Sequence, residues 1–157
     1  MTGLDNVTTI LNEYLEKFDL KTEPDTDFAY YYADNLITYA FVISERMDEM
    51  FWRAAHTIDP ELKVDTFLLS LFHEIGHNET IDGLTDEENY ISDTMKKEIN
   101  SENETAETYF YAPDEYAATA WAVNYINDNK EEVMELWKKL QPAILNFYAS
   151  NDIHWFL

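Results

Sequence analysis

His73, Glu74 and His77, in the run His73-Glu74-Ile75-Gly76-His77, are the residues of this chain whose types and spacing point most directly to chemistry. Residues four apart stack on one face of a helix, so two imidazoles at that spacing can reach one ion. Glu74, offset by one residue, then stands beside the ion without ligating it. There its carboxylate can hold a water and take its proton. Zinc suits such a pair, because it accepts imidazole nitrogen and lowers the pKa of its water towards neutrality. The neighbouring residues support a helix. Val64, Phe67, Leu68, Leu71, Phe72 and Ile75 form an apolar stripe that would anchor it, leaving Ser70, His73, Glu74 and His77 to face a cleft. Gly76 costs a helix about 1 kcal/mol relative to Ala, a cost that a close approach of another backbone would explain.

Two imidazoles leave a catalytic zinc incomplete, since such sites use three protein ligands and a water. The chain has no cysteine, so the third ligand must be His, Asp or Glu. His56 reads as an end-of-helix residue and His154 as a packed residue of an aromatic tail. Glu115 is the better candidate. It opens a helix from Pro113 to about Ile126, with proline at the first position and acids that suit the helix dipole. The small residues Ala117, Ala118, Ala120 and Ala122 would let that helix approach the motif helix closely. A first-turn acid serving only the dipole is the other reading of Glu115. Asp114, Glu107 and Asp82 stand behind it as ligands. Tyr109, Tyr111 and His154 are candidates for stabilising an oxyanion, and nothing in the sequence selects one.

The elements that must position these residues are mostly helical. Val7, Ile10, Leu11, Tyr14, Leu15 and Phe18 recur at helical spacing, and Glu23-Pro24-Asp25 breaks the pattern. Phe28 to Tyr32 and Leu36 to Ile43 are aromatic and β-branched around a turn-like Ala33-Asp34-Asn35, which predicts a β-hairpin. Ser44 would cap a helix to about His56 that buries Met47, Met50, Phe51 and Ala54. Asp59-Pro60 would start the motif helix. Further helices are expected over about Asp86 to Ile99 and Lys130 to Tyr148, the second kinked or split at Pro142. Asn100 to Thr108 reads as a loop. No repeat or low-complexity tract is present.

The 157 residues fit one domain, and an apolar fraction of 46% argues against disorder. The N-terminus lacks the features of a signal peptide, and the apolar runs are too short to cross a bilayer, so a soluble cytoplasmic protein is expected. The formal charge of −22 disfavours direct binding to nucleic acid or anionic membrane. It suits a basic peptide, a metal cation or the basic groove of a DNA-binding protein, although solubility alone also accounts for it.

The run Phe72-His73-Glu74-Ile75-Gly76-His77, followed by Glu115-Tyr116-Ala117-Ala118-Thr119-Ala120-Trp121-Ala122, resembles the ImmA/IrrE-type metallopeptidases, gluzincin-like proteins of bacteria, phages and mobile elements. The match spans about residues 36 to 126. In that family the second motif places its Glu nearer the aromatic-Ala pair, here Trp121-Ala122. The closest position, Ala117, cannot ligate, so Glu115 would carry the role. The resemblance implies one zincin-like α+β domain over residues 1–157, mostly helical, with a small sheet on the motif helix. It implies zinc held by His73, His77 and Glu115, with Glu74 as catalytic base in peptide hydrolysis, and a regulatory protein as a possible substrate. The competing expectation is an acidic, phage-type binding protein on the same scaffold. It would mimic DNA through Asp86, Glu87, Glu88, Asp93, Glu98, Glu102, Glu104 and Glu107.

Overall fold

A computed structural model describes residues 3–41, 45–99 and 106–150. Ser44, His154 with its apolar tail, Glu102, Glu104 and the side chains of Glu98 and Glu107 lie outside what is described. The protein is mostly helical with one small sheet, and its chain gathers into two compact units.

The first unit takes residues 1–40 and 129–157. Helix α1 (Gly3–Leu15) buries Val7, Leu11 and Leu15, four residues apart along one face. A 3-10 turn and a left-handed Asp19 (φ 58°) end it, with the Leu20 N–H donating to the Leu15 carbonyl. Three strands follow: β1 (Lys21–Pro24), β2 (Ala29–Tyr31) and β3 (Leu36–Tyr39), in the order β1-β3-β2. The hairpin expected around Ala33-Asp34-Asn35 is present, with β2 antiparallel to β3 and Tyr30 opposite Ile37. Its turn depends on a left-handed Asn35 (φ 49°), a conformation that asparagine tolerates. Strand β1 was not foreseen. It is short and exposed except for the buried Thr22, and pairs parallel with β3, where Pro24 at its end needs no amide donor. Helix α6 (Lys130–Ser150) packs on α1 through a stripe that includes Val133, Leu136 and Leu140. It runs on through Pro142, so the helix is not split there.

The second unit, residues 41–128, holds helices α2 (Glu45–Ile58), α3 (Thr66–Thr80), α4 (Asp86–Ile99) and α5 (Pro113–Asp128), with a 3-10 turn over Ala106–Tyr111. The sheet groups with α1 and α6, in a different unit from α3. Helix α3 starts later than the sequence suggested. Asp59-Pro60 makes the turn that closes α2: the Asp59 N–H donates to the Ala55 carbonyl, and the Asp59 carboxylate accepts from the Glu61 N–H. Asp65 is the cap of α3, accepting from the Phe67 N–H at 2.8 Å. Once started, α3 is buried from Phe67 to Gly76. It is therefore a core helix rather than one with an open polar face.

Candidate metal centre

Helices α3 and α5 pack extensively on one another among the described residues, and their backbones approach closely at Gly76. A Cβ built on Gly76 would lie 3.0 Å from the Cα and carbonyl carbon of Ala118 and overlap the carbonyl oxygen. The missing side chain of Gly76 and the small one of Ala118 thus let two backbones meet. That contact places His73 and His77, one turn apart on α3, opposite Glu115 in the first turn of α5.

The three side chains converge. Glu115 Oε1 lies 3.0 Å from His73 Nε2 and 3.1 Å from His77 Nε2. One ligand atom from each residue lies within 4.8 Å of the others, so the group could hold a metal ion. His73 is 3% and Glu115 4% exposed, and the His77 side chain keeps 16%. Asp82 lies exposed in a 3-10 turn after α3 and is outside the group. His56 is also outside it, its Nε2 lying 3.2 Å from the Leu62 carbonyl.

Thr119 gives His73 its orientation. It lies one turn beyond Glu115 on α5, and its hydroxyl donates to the Glu115 carbonyl at 3.0 Å. With that proton committed, the Thr119 oxygen accepts from His73 Nδ1–H at 2.9 Å. The lone pair of His73 is then on Nε2, towards Glu115 and His77. Rings hold the imidazole on its other sides: Phe51 edge-on at 5.1 Å, Phe110 at 6.0 Å and His77 at 4.7 Å.

Two ring nitrogens, each about 3 Å from one carboxylate oxygen, crowd acceptor atoms together, so they need a cation between them or protons in its place. The titration behaviour follows. Burial alone would raise the Glu115 pKa, but its side-chain contacts with the two imidazoles, His73 and His77, outweigh it and hold the carboxyl far below its usual range. Burial alone would lower the His77 pKa, but the bond to Glu115 and its charge turn the shift upward. Glu74 sits beside the group, its Oε2 4.0 Å from His73 Nε2, and burial pushes its pKa up against the pull of the two imidazoles.

Asp114 has a different role from the one considered for it as a ligand. It pairs with Lys96 of α4, whose ammonium also donates to Glu115 Oε2 at 2.7 Å. The Asp114 N–H donates to Ser92 Oγ at 3.0 Å, one turn before Lys96 on α4. Of the oxyanion candidates, Tyr109 lies beside Lys96, whose Nζ is 5.6 Å from its ring. Burial, reinforced by the charge of Glu115, raises its hydroxyl pKa. Tyr111 is exposed and stacks on Tyr116. Among the described acids of the surface considered for DNA mimicry, Asp86, Glu87 and Asp93 are exposed, and Glu88 caps α4.

No family model, curated protein or solved structure matches the chain. Sequence reasoning missed Thr119, Lys96 and Phe110. Thr119 could have been found, because four residues after a candidate ligand it must share that ligand's face. Lys96 carried no such signal, since only the packing of α4 on α5 brings it to Glu115. Among the described residues, no helix is long and apolar enough to cross a membrane.

Proposed function

We propose that this chain is a zinc metallopeptidase in which His73, His77 and Glu115 hold the metal and Glu74 is the catalytic carboxylate. The observation that carries the reading is the convergence of two buried donors, His73 and Glu115, and the half-buried His77 from α3 and α5 beside the carboxylate of Glu74. Zinc at 2.0–2.1 Å from each of three tetrahedral ligands needs them about 3.3 Å apart, so the contacts to Glu115 Oε1 fit after a small expansion. The resemblance to the ImmA/IrrE-type enzymes supports the same assignment.

When bound, zinc acts as a Lewis acid that acidifies water and polarises a peptide carbonyl. The chain's own residues would do the rest. Glu74 takes the proton of the attacking water and returns it to the leaving amine. Thr119 keeps His73 in the ligating tautomer. Tyr109, near Lys96, is the candidate we favour for donating to a developing oxyanion. The substrate class is a cytoplasmic protein or peptide, and a basic one suits the charge of −22.

Elemental analysis tests the metal. The purified protein should hold about one equivalent of zinc, as a three-ligand site requires. Retention below about a tenth of an equivalent after loading would overturn the reading, as would full retention in His73→Ala/His77→Ala. Glu74→Gln should keep the zinc and lose hydrolysis of a mixed peptide library read by mass spectrometry. Unchanged turnover would remove Glu74 from the mechanism.

A further inference from the structure

The ammonium beside the proposed ligand set is unexpected, because a cation next to a divalent metal weakens metal binding by repulsion. Lys96 is nevertheless built into place. Its Nζ donates to Glu115 Oε2 at 2.7 Å and pairs with Asp114. Asp114 is tied back to α4 through the hydroxyl of Ser92, which is 1% exposed. Ser92 and Lys96 are four apart on α4, so the same helix face supplies both the lysine and the anchor for its counter-ion. The Lys96 side chain is only 27% exposed.

The carboxylate of Glu115 is divided by this arrangement. Oε1 faces His73 and His77, and Oε2 faces Lys96. We propose that Lys96 is a positioning residue that makes Glu115 a one-oxygen ligand, by holding Oε2 away from the metal. This inference rests on the metal reading above. A carboxylate that chelated through both oxygens would bring the ion against the ammonium on a shared oxygen. Repulsion between the two cations opposes that geometry, so Oε1 ligates alone. The consequence is functional. Two imidazoles and one oxygen would leave a bound zinc open to water and to an arriving carbonyl, whereas a chelating carboxylate would take up that room. A purely structural ion pair would need neither oxygen to be reserved.

Cobalt substitution reads this directly, because Co(II) absorbs much more strongly in the visible in four-coordinate tetrahedral sites than in five- or six-coordinate ones. The variants are Lys96→Met, which keeps length and loses charge, and Lys96→Arg, which keeps a cationic donor. Absorbance is expressed per cobalt bound, measured by elemental analysis. Wild type and Lys96→Arg should show the intense four-coordinate spectrum, and Lys96→Met should fall by about twofold or more as Glu115 chelates. An unchanged Lys96→Met spectrum overturns the role of Lys96 and leaves the metal site standing. A wild type that binds neither zinc nor cobalt overturns the metal reading itself. X-ray absorption on zinc-loaded wild type is independent of how the variants fold. It should show a single Glu115 oxygen at about 2.0 Å, and two oxygens of that carboxylate on the zinc would overturn the proposal.

Discussion

Helices α4 and α5 begin alike and end up doing different things. Each has acids in its first turn, Asp86, Glu87 and Glu88 in α4 and Asp114 and Glu115 in α5, where carboxylates complement the helix dipole. In α4 they stay at the surface and serve the helix start. Asp86 and Glu87 are exposed, and Glu88 closes a reciprocal cap in which it accepts from the Thr85 N–H while Thr85 Oγ1 accepts from the Glu88 N–H, both at 3.0 Å. In α5 the first turn is covered, and Glu115 is 4% exposed. A carboxylate in water needs no partner, whereas one taken out of water must be matched by positive charge or donors. Glu115 has gathered two imidazoles and an ammonium. The residue type and the place in the helix are shared, so burial is what separates a solvated cap from a candidate ligand.

The contrast is broken most severely by removing Glu115. Glu115→Ala strips a partner from Lys96 and the imidazoles, and should cost about 1–3 kcal/mol of stability even in chelator. In zinc the loss should be larger, because tenfold or greater weakening of metal binding adds about 1.4 kcal/mol or more at saturating metal. Melting curves with zinc and with chelator separate the two parts. Equal losses in both conditions would leave Glu115 a helix-dipole acid in an ion pair and no ligand.

Gly76→Ala tests the approach that buries Glu115. The new Cβ meets the backbone of Ala118, which cannot rotate away, so α3 and α5 must separate. A loss of about 1–3 kcal/mol is expected, with weaker zinc binding as Glu115 is drawn back. Gly83→Ala is the control, because nothing lies within 4 Å of its Cβ and its backbone is unstrained. It should change stability little or raise it slightly. Equal effects at the two glycines would remove the close approach from the account. Thr119→Val keeps the shape of the threonine but leaves His73 Nδ1–H without its acceptor. Zinc affinity should fall by about 10–100-fold, with Thr119→Ser restoring most of it. An unaltered zinc affinity in the valine variant would show that His73 finds its tautomer without Thr119.

These positions also show how far the sequence could be read. His73 and His77 declared themselves by spacing, because a helix fixes their relation within one element. Gly76 declared a close approach because its cost in a helix had to be offset elsewhere, and Pro113 fixed the start of α5. What was lost depends on contacts between elements. Lys96 meets Glu115 only because α4 packs on α5, and no local pattern encodes that. Asp114 and Glu115 are both first-turn acids, and although the sequence favoured Glu115 as the ligand, it gave no sign that Asp114 would pair with Lys96. The late start of α3 escaped because Asp59-Pro60 is as good a turn as a helix opening, and the cap Asp65 is itself a common residue type. Strand β1 escaped because Lys21-Thr22-Glu23-Pro24 has no apolar alternation, and its place comes from β3.

The smallest effect belongs to the other helix start. Glu88→Ala removes one half of the α4 cap and leaves the Thr85 N–H to water, which is close at hand because Thr85 is exposed. Thr85 Oγ1 still accepts from the residue 88 N–H, since that donor is backbone. The loss should therefore stay within about 1 kcal/mol, at the low end of cap deletions. It should be the same in zinc and in chelator, because no side chain at the metal centre touches Glu88 through this cap. Raised salt should shrink it further where its origin is the exposed dipole. Glu115→Ala should keep most of its deficit at high salt, because its partners are buried and poorly screened. The two variants side by side, melted across salt with and without zinc, thus set a solvated first-turn acid against a buried one. A Glu88→Ala deficit that grows in zinc would mean that α4 feels the metal through its own first turn, and that burial alone does not divide the two helix starts.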